Sequence, residues 1–435
     1  MTSVHHTRYV RFDEGRCTGC AACLRACPTK AIRIRDHKSI RIVDQCIGCG
    51  ACLRICPAGA VSAAVDARPD TIGRGHVAVA LVSPVLYAQF PGVMPGGVLL
   101  GLHRMGFTHT VDMSFFLEMF QYAAEAFITR NRAEPSAPWP LISPVCPVVV
   151  RLIAFQFPSL LPHLLPVLRP VALMAREVRR RIIPLHAPHA PVVLYYLNPC
   201  ATMAVTPGSG HRAAETAIGI NAVFIDLKRH VEQILGSDTL PFATGGFEFE
   251  SCSSGNAALG AMPGGEIANM DVDRSLSVHG LEETVAYLHQ IEMGRLKDIE
   301  YIELRTCRES CLGGVLTAVD KYLARRNVQK MIDEFGLGRR LPRKTVLRLY
   351  ARGEFQPEHD PSSLTRLFGG RKAPLSLEEA QRVEATLTAI AGRDCGACGA
   401  PDCLSFAEDV VRDGARMSDC MWVHARCEAQ KEKPS

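Results

Sequence analysis

Cys17-Thr-Gly-Cys20-Ala-Ala-Cys23-Leu-Arg-Ala-Cys27-Pro28 recurs 29 residues later as Cys46-Ile-Gly-Cys49-Gly-Ala-Cys52-Leu-Arg-Ile-Cys56-Pro57. A C-x2-C-x2-C-x3-C-Pro run is the spacing by which thiolates hold four-iron–four-sulfur (4Fe-4S) cubanes. Three closely spaced thiolates wrap three corners of a cubane only if the loop turns sharply, which Gly19 and Gly48 permit. The fourth cysteine lies beyond that loop, and Pro28 or Pro57 keeps it from rejoining the same geometry, so the ligands are expected to cross over. One cluster takes Cys17, Cys20, Cys23 and Cys56, and the other takes Cys46, Cys49, Cys52 and Cys27. Zinc is the bland alternative, and eight cysteines in a doubled pattern argue against it.

Outward from this repeat, the chain has 435 residues, enough for two to four domains. Its 47% apolar and 21% charged residues are ordinary for a globular protein, so the 18 cysteines are what stands out. The N-terminus, Met-Thr-Ser-Val-His-His-Thr-Arg, has no apolar export signal, and a secreted disulfide scaffold would be shorter. A reducing cytoplasm suits thiolate ligands, so a cytoplasmic location is expected. No apolar run reaches the about 18 residues that a membrane helix needs. The nearest, Pro140 to Leu168, is broken by Arg151, His163 and several prolines. The formal charge of +5 does not point to nucleic acid. Four oxidised cubanes with their thiolates, each about −2, would bring the loaded chain to about −3. The basic runs Arg176 to Arg181 and Arg339 to Lys344 read as solvated helix faces.

After the linker Asp66 to Gly75, residues 76–352 read as an α/β domain. Strands are expected at His76–Val82, Phe107–Val111, Val192–Leu197 and Ala222–Ile225, with helices over Gly96–Arg104 and Phe115–Arg130. In open α/β sheets ligands gather at the carboxyl ends of strands, where Cys200 stands. Arg352 to Pro374 reads as a second linker. Ser376-Leu-Glu-Glu379 is a capping box that starts a helix. That helix leads into a small helical domain, residues 375–430, holding Cys395, Cys398, Cys403 and Cys420 with gaps of 2, 4 and 16 residues. Spacing alone leaves both zinc and a 4Fe-4S cluster open for this four-thiolate site. The first domain spans residues 1–65.

Four further cysteines stand apart: Cys146 in Ser143-Pro-Val-Cys-Pro147, Cys200 in Asn198-Pro-Cys, and Cys307 and Cys311 in Glu303-Leu-Arg-Thr-Cys-Arg-Glu-Ser-Cys-Leu-Gly-Gly314. Alone, Cys146 and Cys200 would pass for core residues, as Cys252 does, and Cys427 for an incidental thiol. The glycine pair Gly313-Gly314 lets the backbone come close to something bulky.

In order along the chain, these segments resemble the catalytic domain of the iron-only (FeFe) hydrogenases, from about His76 to Leu316. Ser83-Pro84, Met105-Gly-Phe107 through Val111-Asp112, and Glu118 look like that family's first βα unit. Ser143 to Pro147 looks like its first cysteine motif, followed by Phe157-Pro-Ser-Leu-Leu-Pro162. Asn198-Pro-Cys200 is similar to the second motif and Glu303 to Gly314 to the third. Ser254 to Gly260 with Gly264-Gly265-Glu266 resembles its glycine-rich loop. The doubled cysteine run is similar to a bacterial dicluster ferredoxin domain, a usual attachment in the family. The resemblance implies parallel or mixed sheets with flanking helices, an α+β ferredoxin fold at the N-terminus and a small helical Fe-S domain at the C-terminus. It implies a cubane on Cys146, Cys200, Cys307 and Cys311, with Cys311 bridging to a diiron site that splits hydrogen.

The departures from the family's pattern fall around that diiron site. The cysteine that hands protons to it, just before the first ligand, is Val145 here. The lysine three residues after the second motif's cysteine is Met203, and the methionine before Pro-Cys is Asn198. The methionine two before Cys307 is Arg305, and Val315 cuts the closing glycine run. The pattern resembles the divergent branch of the family to which sensing is ascribed. Members of that branch often continue into a signalling domain, whereas this chain stops at Ser435, so an output through a separate redox partner is expected. That partner would be a ferredoxin, a hydrogenase subunit or a signalling protein. The expected function is a multi-cluster electron-transfer protein, a hydrogen or redox sensor or accessory subunit with little hydrogen turnover. The alternative is a slow ferredoxin-linked hydrogenase with an intact diiron site. A scaffold for Fe-S assembly is a third reading, disfavoured by the bacterial-type repeat.

Overall fold

The computed structural model describes residues 4–6, 9–35, 39–42, 45–64, 72–186, 190–200, 202, 214–236, 258–357, 364, 375–390 and 392–423. Met203, Cys252, Cys427, residues 254–257 of the glycine-rich loop and most of both linkers lie outside them. The chain divides into two compact units, residues 1–64 with 368–435, and residues 65–367.

In the first unit β1 (Val4–His6), β2 (Val10–Asp13) and β5 (Val61–Ala63) form an antiparallel sheet in the order β1-β2-β5. Strands β3 (Ile32–Arg35) and β4 (Ser39–Ile42) pair as an antiparallel ribbon between the two cysteine runs. Each run feeds a one-turn helix, Ala22–Ala26 or Ala51–Ile55, entered through a left-handed residue: Ala21 at φ 58° in the first copy and Gly50 at φ 71° in the second. Glycine is at home in that conformation and alanine is strained there, so the turn around the cysteines is imposed rather than incidental.

The C-terminal segment of this unit contributes helices Leu377–Ala389 and Cys403–Val411, packed through Val383, Ala407 and Val411. The capping box expected at Ser376 and Glu379 is present in both directions. Arg33 of the repeat and Asp409 of this segment stand 376 residues apart in sequence, yet they are hydrogen-bonded. The Ile34 N–H donates to the Gly399 carbonyl at 2.8 Å. Arg33, 2% exposed, donates to both carboxylate oxygens of Asp409 at 2.5 and 3.2 Å and to the carbonyls of Lys30 and Ile32. Lys30 pairs with Asp402. A bidentate guanidinium–carboxylate pair is strong and directional, and here it is also shielded from water.

The second unit holds two parallel sheets. One runs β10-β9-β6-β7, built from β6 (Val77–Val82), β7 (His109–Asp112), β9 (Val192–Asn198) and β10 (Ala214–Gly219). The other runs β11-β12-β8, from β8 (Leu141–Ile142), β11 (Ser275–His279) and β12 (Tyr301–Arg305). Strand β6 reads Val-Ala-Val-Ala-Leu-Val, and its last five residues are buried, the continuous apolar run of a strand covered on both faces. Helices Pro95–Arg104 and Ile220–Leu235 cover one face of the larger sheet; Met113–Asn131 and Pro170–Arg181 belong to the core on the other.

Two expectations are corrected. Ala222–Ile225 is not a strand but lies in the helix Ile220–Leu235. Ile220, Val223, Leu227, Val231 and Ile234 recur every three or four residues and are all buried, so helical periodicity outweighs the local β-branched content. The strand stands immediately before, at Ala214–Gly219. The basic runs are not wholly solvated either. Arg176 is flanked by Glu177 and Glu354, while Arg339 pairs with Glu125 and lies 4.4 Å from the centre of the Tyr122 ring.

Replacing Arg33 with Met would leave Asp409 buried without its cation, a cost of about 3–5 kcal/mol. Denaturant unfolding should register that loss, and the double variant Arg33→Met with Asp409→Leu should recover most of it.

Candidate metal centres

The N-terminal cysteines fall into two groups. Burial pushes the Cys23 thiol up to about 11, and charge on Cys17, Cys20 and Cys56 adds to the effect. Burial likewise pushes Cys49 up to about 12, with Cys27 and Cys46 contributing. Cys52 is raised by burial and by Cys49, Cys46 and Cys27, with a smaller effect from Cys23 of the other group. Cys27, Cys46, Cys49 and Cys52 line a common cavity. The Ala31 N–H donates to the Cys27 sulfur at 3.3 Å, and the Ala60 N–H to the Cys56 sulfur at the same distance. Such N–H···S bonds favour thiolate and modulate cluster potential.

At the C-terminus Cys395, Cys398, Cys403 and Cys420 line one cavity with Ile390, Phe406 and Trp422. The Asp394 N–H donates to the Cys403 sulfur at 3.4 Å, while Cys403 N–H donates to the Asp394 carboxylate at 2.7 Å. Burial raises the Cys398 thiol, and Cys420 and Cys395 add to that. Leu24, next to Cys23, would stand 3.2 Å from a Cβ placed on Gly396. Two cysteine groups remote in sequence therefore approach each other inside the first unit.

In the second unit the central cysteines leave the carboxyl ends of parallel strands. β8 pairs with β12, so the Cys146 loop and the Cys307 loop emerge side by side, and Cys200 follows β9. The Cys146 sulfur lies 4.0 Å from the Thr306 hydroxyl, and the Cys200 sulfur 3.4 Å from that of Thr202. The bulky neighbour of Gly313-Gly314 is backbone. A Cβ on Gly314 would sit 2.3 Å from the Pro199 carbonyl oxygen, and one on Gly313 would sit 1.9 Å from that of Arg308. The Leu316 N–H then donates to the Pro199 carbonyl at 2.8 Å, joining the second motif to the third. Burial pushes Cys311 up to about 12; Arg305 opposes this, and Cys200, Cys146 and Cys307 reinforce it.

Strand β12 supplies the surrounding charge. Its period of two puts Tyr301, Glu303 and Arg305 on one face, and every residue of the strand is buried. Arg305 donates to Glu266 at 2.5 Å and to Glu303 at 3.3 Å, and the Tyr301 hydroxyl donates to Glu266 at 2.5 Å. Burial alone would lower the Arg305 pKa; Glu266, Cys311 and Glu303 outweigh it and raise it. Beside Cys311 is a cavity walled by Pro84, Met113, Leu117, Val145, Val171 and Ala261, with Arg169 and Arg305 as its cations. Sequence reading flagged Arg305 and Val145 but missed Arg169. The alternation Tyr-x-Glu-x-Arg ahead of Cys307 could have disclosed the buried network. Nothing local marks Arg169.

Four thiols per group, N–H donors aimed at sulfur, and cations rather than carboxylates beside Cys311 make a donor set that fits iron–sulfur clusters. Among the described residues, no three or more His, Cys, Asp or Glu draw together as tightly as a single metal ion would require.

Burial pushes Glu303 up to about 7, with Arg305 opposing it and Glu266 reinforcing it. The folded chain therefore holds a proton that the unfolded chain releases above its ordinary pKa of 4.5. Stability is present in full below that value and is lost as pH rises towards 7. Denaturation of the apo chain across this range should show that slope, and Glu303→Gln should flatten it.

Residues 9–57 match the family model for a 4Fe-4S dicluster domain. Residues 76–203 match the model for the C-terminal domain of the iron-only hydrogenase large subunit. Residues 391–421 match a proposed Fe-S cluster family. No curated protein matches. Among solved structures, a variant of FeFe-hydrogenase HydA1 from Chlamydomonas reinhardtii aligns at 16% identity and a TM-score of 0.47, over 67% of this chain and 93% of its own. The FeFe-hydrogenase HydA(deltaEFG), from a study of stepwise H-cluster assembly, aligns at 16% and 0.45 over the same shares. In order along the chain, three segments thus match the models of a 4Fe-4S dicluster domain, of the C-terminal domain of the iron-only hydrogenase large subunit and of an Fe-S cluster family.

Proposed function

We propose that the chain is a multi-cluster electron-transfer protein, a hydrogen or redox sensor or an accessory redox subunit, with little or no hydrogen turnover. The carrying observation is the lining of the cavity beside Cys311. Val145, 6% exposed, takes the position of the family's proton donor, and an isopropyl group moves no proton. Apart from Cys311, the titratable groups described on that wall are Arg169 and Arg305, and a guanidinium keeps its protons throughout the physiological range.

In this reading Cys17, Cys20, Cys23 and Cys56 hold one cubane and Cys46, Cys49, Cys52 and Cys27 a second. Cys146, Cys200, Cys307 and Cys311 hold a third, and Cys395, Cys398, Cys403 and Cys420 a fourth. The Arg33–Asp409 pair and the contact of Leu24 with Gly396 support electron exchange between the C-terminal cluster and the N-terminal pair. A cytoplasmic redox protein is the natural partner. Among the described residues no helix is long and apolar enough to cross a membrane.

Anaerobic reconstitution should give roughly sixteen irons per chain. Eight or fewer would rule out four clusters. Infrared bands of iron-bound CO and cyanide, sought after co-expression with the maturation machinery, decide between the readings. If they are present, the slow-hydrogenase alternative gains its catalyst, and Val145→Cys should then raise turnover about 10²–10⁴-fold. Their absence leaves electron transfer alone.

A further inference from the structure

The function proposed above uses Arg169 only as a group that moves no proton, and its place beside Cys311 invites a further role. It is the N-cap residue of the helix Pro170–Arg181, fixed through its carbonyl, which accepts from Ala172 and Leu173 at 3.0 and 3.1 Å. Its side chain lines the cavity that also contains Cys311. Burial and Arg151 pull its pKa down, against the opposite pull of Tyr196, Cys200 and Cys146, to about 10. Among the described residues no carboxylate pairs with it. Arg169 is half-buried, and a guanidinium drawn partly out of water onto a largely apolar cavity wall favours a negative charge close by.

Two observations single out that charge. Arg169 lines the same cavity as Cys311, and the charges of Cys200 and Cys146 act on it to raise its pKa. The other cation on the wall, Arg305, is already committed to Glu266 and Glu303, so it brings no net positive charge to the site.

We propose that Arg169 is the fixed counter-cation of the central cluster and sets its reduction potential. This rests on the reading that Cys146, Cys200, Cys307 and Cys311 hold a cubane. The cubane with its thiolates goes from about −2 to about −3 on taking one electron. A cation held in a poorly polarisable surrounding stabilises the more negative form more, so Arg169 raises the potential. No proton or bond changes hands; the electron comes from the other clusters, or from dithionite through mediators in a titration.

The test uses the full chain, reconstituted anaerobically and titrated potentiometrically with EPR detection. Cys307→Ala first identifies the central signal by its loss. If no signal and no iron depend on Cys307, the cubane reading falls and the counter-cation falls with it. Given that signal, Arg169→Gln should lower its midpoint by at least a tenfold change in the redox equilibrium, about 59 mV for one electron. Signals of the N-terminal clusters should stay where they were. Arg169→Lys, which keeps the charge, should remain near the parent. Equal midpoints for the Gln and Lys variants, or a Gln midpoint unchanged from the parent, overturn the proposal. Should the Gln variant fail to load the central site, loading restored by Lys supports the charge role, and failure of both overturns it.

Discussion

The hydrogen bond from the Leu316 N–H to the Pro199 carbonyl, possible only because Gly313 and Gly314 lack side chains, is the constraint on which the central site depends. It ties the loop after β12 to the loop after β9, strands of two different sheets. A third loop, leaving β8, needs no such device, because β8 is hydrogen-bonded to β12. Three cysteine-bearing segments from distant parts of the sequence are thereby drawn to the same end of the parallel strands. Adding one methyl group at Gly314 would drive Pro199 away and carry Cys200 with it.

The first unit meets the same problem differently. Its two cysteine runs are close in sequence and symmetric, down to the matching Ala31 and Ala60 N–H donors on Cys27 and Cys56. The C-terminal segment must be recruited from the far end of the chain, and there a buried ion pair supplies the direction. Arg33 presents one edge of its guanidinium to Asp409, since its Nη1 donors are taken by the carbonyls of Lys30 and Ile32. An apolar contact such as Leu24 on Gly396 adds area without fixing that register.

The cysteine spacing made the ferredoxin-like repeat and the C-terminal site legible in the sequence, because ligands close together in the chain announce their geometry. Three parallel strands, β6, β7 and β9, were legible too as short apolar runs, whereas β8, β10, β11 and β12 were not expected. Ala222–Ile225 misled because four residues cannot distinguish a strand from one turn of a buried helix; the longer period through Ile234 does. Arg169 stayed hidden for a different reason. Its proposed role lies in what shares its cavity, and no short window of sequence contains both it and Cys311. The acidic partners of Arg305 were within reach only in part: Glu303 by alternation along β12, Glu266 not at all.

The departures around Cys311 gain a common physical sense from this charge arrangement. Hydrogen splitting asks for a group that gives and takes a proton near neutral pH. Electron storage asks for fixed charge that does not respond to pH. Val145 supplies neither, Arg305 is already paired with Glu266 and Glu303, and Arg169 supplies only the second. A guanidinium beside a buried thiolate is a poor acid and a good counter-ion. In the proposed reading, a cavity lined in this way would suit a cluster that stores an electron better than a site that passes a proton, because the same Val145 and Arg169 bear on both.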